Sequence, residues 1–160
     1  MRFADADNDL VKIAGMVESA GGEIIVLKGR VLDGQGNPAS GARVEIWQCD
    51  ANGRYLHPGD GGGAPRDAAF QGFGHVVTGP DGEYAFRTIK PVPYPGRTPH
   101  IHVKVFHGGR ELTTQFYIAG HELNARDGLF RRMSEAEQQA VSMAFSPGPD
   151  GLQAVVDIQV

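Results

Sequence analysis

The run Ala42–Cys49 (ARVEIWQC) alternates apolar and polar residues without a break. Strand side chains alternate faces with period two, so this pattern fits a half-buried β-strand and does not fit a helix of period 3.6. Ala42, Val44 and Ile46, with Gln48 in line behind them, point one way; Arg43, Glu45 and Trp47 point the other. Turn-forming sequence closes the run on both sides, Asp33-Gly-Gln-Gly-Asn-Pro38 before it and Asp50-Ala-Asn-Gly53 after it. The same rhythm recurs along the chain. Glu23–Leu32 is a β-branched run. His75–Thr78 and Glu83–Ile89 read as a hairpin around Gly79-Pro-Asp-Gly82, and His100–Phe106 with Leu112–Ile118 as a second, turning at Gly108-Gly109. Leu152–Val160 reads as a closing strand. One helix interrupts the series: Ser134 with Glu137 three residues on forms a capping box that opens a helix over about Glu135–Ala144, stopped by Pro147-Gly-Pro149. The expected fold is an all-β, two-sheet antiparallel β-sandwich with long active-site loops and one C-terminal helix.

At 160 residues the chain is sized for one domain, divided here into an N-terminal arm, residues 1–22, and a sandwich, residues 23–160. The 23 glycines and 10 prolines suit a turn-rich β protein. Tyr55–Phe73 carries many glycines and no periodicity, and structureless stretches of that length inside a domain are often functional. A net charge of −4 with no long basic run argues against nucleic acid or an anionic membrane as the main partner. No apolar run is long enough to span a bilayer, and Met1-Arg-Phe-Ala-Asp-Ala-Asp lacks the apolar core of a signal peptide. The lone Cys49 excludes an internal disulfide. Together these features set the expectation of a cytoplasmic protein.

Chemistry concentrates in Tyr94-Pro-Gly-Arg-Thr-Pro-His100-Ile-His102. An H-x-H pair on a strand aims both imidazoles at one side, where they can hold one metal ion. Tyr94 lies just upstream in a turn that Pro93 and Pro95 stiffen, within reach to add a phenolate oxygen. A phenol of pKa about 10 ionises at neutral pH only beside a strong Lewis acid. Anionic oxygen with imidazole suits a hard ion such as Fe(III) and not a thiolate-seeking one. Tyr55, directly after a turn, is the nearest candidate for a second phenolate, whereas Tyr84 and Tyr117 lie inside strand patterns and read as packing residues. Arg97 stands between the tyrosine and the histidines; its guanidinium keeps its proton and can face developing negative charge, or it is a solvated loop arginine. Trp47 reads as core and Cys49 as a small strand residue. His57 and His75 either line the pocket or sit at loop and strand ends, and His107 and His121 have no partner spacing.

These residues stand within a longer ordered set: Gly29-Arg-Val-Leu-Asp33, Gly41-Ala-Arg-Val-Glu-Ile-Trp-Gln48, Asp50-Ala-Asn-Gly-Arg-Tyr55, Asp81-Gly-Glu-Tyr-Ala-Phe86, Thr88-Ile-Lys-Pro91, Pro93-Tyr-Pro95, Pro99-His-Ile-His102 and Thr114-Gln-Phe-Tyr117. From about Lys28 to Ile118 the chain resembles the intradiol ring-cleavage dioxygenases, above all the protocatechuate 3,4-dioxygenase type. The resemblance implies a β-sandwich holding Fe(III) between two tyrosinates and two histidines. By that resemblance Tyr55 is the tyrosinate that stays bound and Tyr94 the one that leaves when substrate arrives and takes a catechol proton. His100 and His102 match the histidine ligands, Arg97 the arginine against the substrate ring, and Gln115 a glutamine near the same face. The implied reaction opens a catechol-type ring between its hydroxyls with O2 to a muconate-type diacid, with no NAD, flavin or added reductant. The implied partners are a small aromatic diol and O2, with homo- and hetero-oligomers both open. Gly96 stands where relatives carry an aromatic residue and the stretch to His100 is short, so a more open site is expected.

Two other readings compete. Gly29-Arg-Val-Leu-Asp33 and a Gly-x-Pro-x-x-Gly-Ala segment also suit a non-catalytic transthyretin-like or carboxypeptidase-regulatory-like sandwich, which leaves the Tyr94–His102 cluster without a purpose. A zinc hydrolase on His100 and His102 lacks an acidic general base at an obvious spacing.

Overall fold

A computed structural model of the chain describes residues 7–11, 22–49, 72–93, 97–149 and 151–160. Its strands are β1 (Ile24–Leu32), β2 (Arg43–Trp47), β3 (Phe73–Val77), β4 (Glu83–Ile89), β5 (His100–His107), β6 (Arg110–Ile118), β7 (Ser142–Met143), β8 (Phe145–Gly148), β9 (Gly151–Val155) and β10 (Ile158–Gln159). A 3₁₀ turn, Glu122–Arg126, and two short helices, α1 (Gly128–Arg131) and α2 (Glu135–Ala140), separate β6 from β7. Among the described residues no helix is long and apolar enough to cross a membrane.

The strands form the expected two-sheet sandwich. One sheet runs β3-β2-β5-β6-β7; in the other, β1 pairs with β4 along one edge and with β9 and β10 along the opposite edge, and β8 lies outside β9. The alternation read in β2 holds: Val44 and Ile46 are buried, and Arg43, Glu45 and Trp47 are half-buried on the other side. Between the sheets Leu27, Val31, Val44, Ile46, Phe86, Ile101, Val103, Val105 and Phe116 make one continuous core. Full burial of each such side chain contributes roughly 1.5–3 kcal/mol, which is what drives the two layers together. Leu10 and Val11 also enter that core; Asp7 and His75 exchange backbone bonds, Leu10 N–H donates to Arg87 O and Arg87 N–H to Asn8 O, tying their segment to β3 and β4.

Three local expectations are corrected. The turn Gly79–Gly82 does form, closed by a bond from Gly82 N–H to Gly79 O at 2.9 Å, but its flanking strands do not pair with each other. β3 pairs with β2 and β4 with β1, so the turn carries the chain from one sheet to the other. Turn chemistry is the same in both cases; partner choice is set by tertiary packing. The second hairpin forms as read, β5 against β6, with Gly108 and Gly109 both at positive φ. The helix starts at its capping box as expected but ends at Ala140, well before the prolines. Tyr117 N–H captures Val141 O and Ala119 N–H captures Met143 O, drawing the chain into β7. The closing strand is split into β9 and β10, both parallel to β1, so each sheet is mixed rather than purely antiparallel. The split lies over Gly29, where a Cβ would collide with the Val156 carbonyl oxygen. Glycine there lets the Val156 carbonyl tuck inward, where it accepts the Tyr84 hydroxyl at 2.5 Å.

Polar side chains also join the layers. Gln48, fully buried, donates to Ile89 O at 3.0 Å and accepts from Thr88 Oγ1 at 2.6 Å, linking the end of β2 to β4. Replacing Gln48 by Leu strands a buried carbonyl and a buried hydroxyl. The expected loss is about 2–4 kcal/mol, a fall in Tm on the order of 10 °C in a calorimetric melt; an unchanged Tm would contradict this role. Burial, reinforced by nearby Asp157, holds the Tyr84 phenol well above its ordinary pKa. A raised pKa means its contribution is complete below about pH 10 and fades as the unfolded phenol ionises. Denaturant midpoints measured from pH 7 to pH 11 should therefore show wild type above Tyr84→Phe at neutral pH, with the gap closing above about pH 10.

Candidate metal centre

The site is built on the start of β5. Because β5 is paired on both sides, the cross-strand row Phe73–Trp47–His102–Gln115 is fixed by backbone register through β3, β2, β5 and β6. His100, two residues before His102, faces the same way and pairs with Tyr117. The imidazole nitrogens His100 Nε2 and His102 Nε2 lie 3.2 Å apart. His100 Nδ1 donates to Thr98 O at 2.8 Å; a carbonyl only accepts, so the proton sits on Nδ1 and the Nε2 lone pair faces His102. Burial is the main cause that lowers the pKa of both rings, and His102 is pushed down to about 4 with help from His100 and Arg97. Both imidazoles are therefore neutral at physiological pH, the state that binds metal.

Nitrogen ligands bind transition metals at about 2.0–2.1 Å, so two that share an ion lie within about 4.2 Å of each other. The observed 3.2 Å satisfies that bound with the β5 backbone as it stands. Neutral imidazoles in this arrangement fit an ion that also takes oxygen donors, which is the chemistry expected of Fe(III). Tyr55 and Tyr94, expected as the oxygen donors, lie outside the described residues, as does His57. Among the described residues no group of three or more His, Cys, Asp and Glu side chains surrounds one point.

Arg97 and Gln115 meet beside the histidines. Arg97 Nη2 donates to Gln115 Oε1 at 2.6 Å, and the Gln115 amide nitrogen is 3.4 Å from His102 Nδ1. Tyr117 is buried, as a packing residue should be, yet its hydroxyl also donates to Gln115 Oε1 at 3.1 Å. Arg97 is not a solvated loop residue: its Nε donates to Asp127 Oδ2 at 2.7 Å, and its side chain is 21% exposed. Trp47 was expected in the core and instead lies on the site face, stacked on His102 with ring centroids 5.0 Å apart and planes within 1°. The alternation in β2 already put Trp47 opposite the core row; its apolar character suggested otherwise. His75 is on β3 opposite Glu45, bonded through its backbone to Asp7. His121 caps the 3₁₀ turn and His107 lies in the pair that closes the β5–β6 hairpin. Cys49 is buried at the end of β2.

Known proteins resemble this chain in sequence and in fold. A family model described as Dioxygenase matches residues 1–146. The beta chain of protocatechuate 3,4-dioxygenase from Burkholderia cepacia is 42% identical over 149 residues, covering 88% of this chain and 63% of that protein. Hydroxyquinol 1,2-dioxygenase from Nocardioides simplex is 37% identical over 130 residues, covering 69% of this chain and 42% of that protein. The chain thus spans less than two thirds of the length of either relative. Among solved structures, the dioxygenase domain of a dioxygenase carbohydrate-binding protein fusion from Streptomyces sp. SirexAA-E superposes with a TM-score of 0.72 at 32% identity, covering 96% of this chain and 86% of that one. With its sandwich, its paired histidines and these likenesses in sequence and in fold, the chain belongs to the intradiol ring-cleavage dioxygenase family.

Proposed function

We propose that the chain cleaves a catechol-type ring between its two hydroxyl-bearing carbons with O2, giving a muconate-type diacid. The observation that carries this reading is the 3.2 Å approach of His100 Nε2 and His102 Nε2 beside the Arg97–Gln115 pair. In this reading His100, His102, Tyr55 and Tyr94 hold Fe(III), and Tyr94 accepts one catechol proton. Bound there, the ferric ion supplies Lewis acidity and a template for both catechol oxygens. The guanidinium of Arg97 keeps its proton and offers fixed positive charge to the ring as negative charge develops on it. Gln115 orients that guanidinium by accepting from Nη2. Trp47 covers one face of the His102 ring and shields it from water. A non-catalytic sandwich would need neither two histidine nitrogens held 3.2 Å apart nor an arginine pinned beside them. The first relative is named as one chain of an enzyme that has a beta chain, and assembly with a partner chain is part of this proposal.

Oxygen uptake by iron-loaded protein, measured with catechol, protocatechuate and hydroxyquinol in turn, is expected with at least one of them and with a ring-opened diacid as product. Absence of uptake with all of them defeats the reading. His100→Ala and His102→Ala should each lose bound iron and the visible ferric–tyrosinate absorption, and Tyr55→Phe should shift or bleach that band.

Trp47 is the one tryptophan of the chain, so its emission reports on the ring it stacks against. Fe(III) titration should quench it in step with bound iron, and His102→Ala should abolish that quenching. Emission indifferent to iron would remove His102 from the centre.

A further inference from the structure

We propose that Asp127 is a positioning residue for this reaction, holding the Arg97 guanidinium beside the histidine pair and, through Thr98, the ring of His100. Asp127 lies between the 3₁₀ turn and α1, and its side chain is 0% exposed. Its two oxygens divide the work. Oδ1 accepts the backbone N–H groups of Leu129 and Phe130 at 3.2 and 3.1 Å and so caps α1. Oδ2 accepts Arg97 Nε at 2.7 Å and Thr98 N–H at 3.3 Å.

A cap alone does not call for a buried charge. The neighbouring helix α2 is capped by exposed Ser134 and Glu137. A buried carboxylate is costly unless paired, and here the pairing group is the arginine assigned to the site. Burial works against ionisation of Asp127, but the hydrogen bonds from Arg97, Phe130 and Thr98 outweigh it and keep its pKa below the ordinary carboxylate value.

The geometry also reaches beyond Arg97. Nε is held by Asp127 and Nη2 by Gln115, so the guanidinium plane is pinned at two points and cannot rotate. Asn124, in the same 3₁₀ turn, accepts the Thr98 hydroxyl at 2.7 Å and donates to Ile118 O at 2.8 Å. One short segment therefore grips residues 97 and 98 from both ends. The Thr98 carbonyl in turn receives His100 Nδ1–H, which fixes that ring's tautomer.

The proposal rests on the dioxygenase reading for its kinetic consequence, and two measurements separate the two. The first needs neither iron nor substrate. In ¹⁵N-labelled full-length protein, the Arg97 Nε–H resonance, identified by its loss in Arg97→Lys, should exchange with water far more slowly than an exposed arginine's. Asp127→Asn and Asp127→Ser should each bring it to the exposed rate, Ser keeping the helix cap. Rapid exchange in wild type overturns the proposal even if both variants fail to fold. The second is a double-mutant cycle on kcat/KM with the best catechol. Asp127→Asn should lower it about 10- to 100-fold, as misplacement of a catalytic group does. In an Arg97→Ala background the same change should cost distinctly less, because the larger part of its effect passes through Arg97 and only the remainder through Thr98 and His100. Equal losses in both backgrounds, or no loss in wild type, overturn the positioning role. Slow exchange in a wild-type protein that opens no catechol would fault the dioxygenase reading and leave the Asp127–Arg97 clamp standing.

Discussion

Backbone pairing on both sides of β5 governs the rest of the molecule. It joins β2 and β6 into one surface and sets which side chains stand in a row across three strands. A slip of one residue would turn His100 and His102 toward the core and Ile101 toward the site. Ile101, Val103 and Val105, all fully buried, make such a slip prohibitively costly. The same apolar row that stabilises the fold thus fixes the direction of the histidines, with no separate device needed.

Around that rigid row the site is supported by groups of different rigidity. Trp47 comes from the adjacent strand and braces His102 by ring contact. Gln115 comes from the other adjacent strand and braces Arg97 by hydrogen bonding. Asp127 and Asn124 come from the irregular link after β6 and reach back to the approach to β5. The buried bonds of Gln48 with Thr88 and Ile89 tie the strand carrying Trp47 to the opposite sheet. Packing, aromatic contact and hydrogen bonding converge on one end of the sandwich.

How much of this is legible in the sequence depends on the range of the interaction. The period-two pattern of β2 and the H-x-H spacing are local, and both predicted faces are found. The double glycine of the β5–β6 hairpin is equally local and equally reliable. Partner choice is not local: Gly79–Gly82 has hairpin chemistry, yet β3 and β4 enter different sheets. The early end of α2 depends on Tyr117, far back in β6, capturing Val141 O. Asp127 carries no motif of its own, and the arginine it pairs with is 30 positions earlier, so nothing near it in the chain marks it. Resemblance to a family supplied the candidate ligand and substrate-facing residues but not the groups that support them.

The two-part edge of β1 has a consequence for biosynthesis. Among the described strands β1 comes first in the chain, but one of its edges is completed by β9 and β10, and Arg30 N–H bonds to Asp157 across 127 positions. A chain emerging from the ribosome can assemble the β5–β6 hairpin early, whereas the sheet around β1 must wait until residues 152–159 are available. Until then the β1 edge is an open template for pairing with other chains. Contacts so distant in sequence also slow closure of the sandwich. The burden of guarding the unfinished sheet falls on whatever attends the nascent polypeptide.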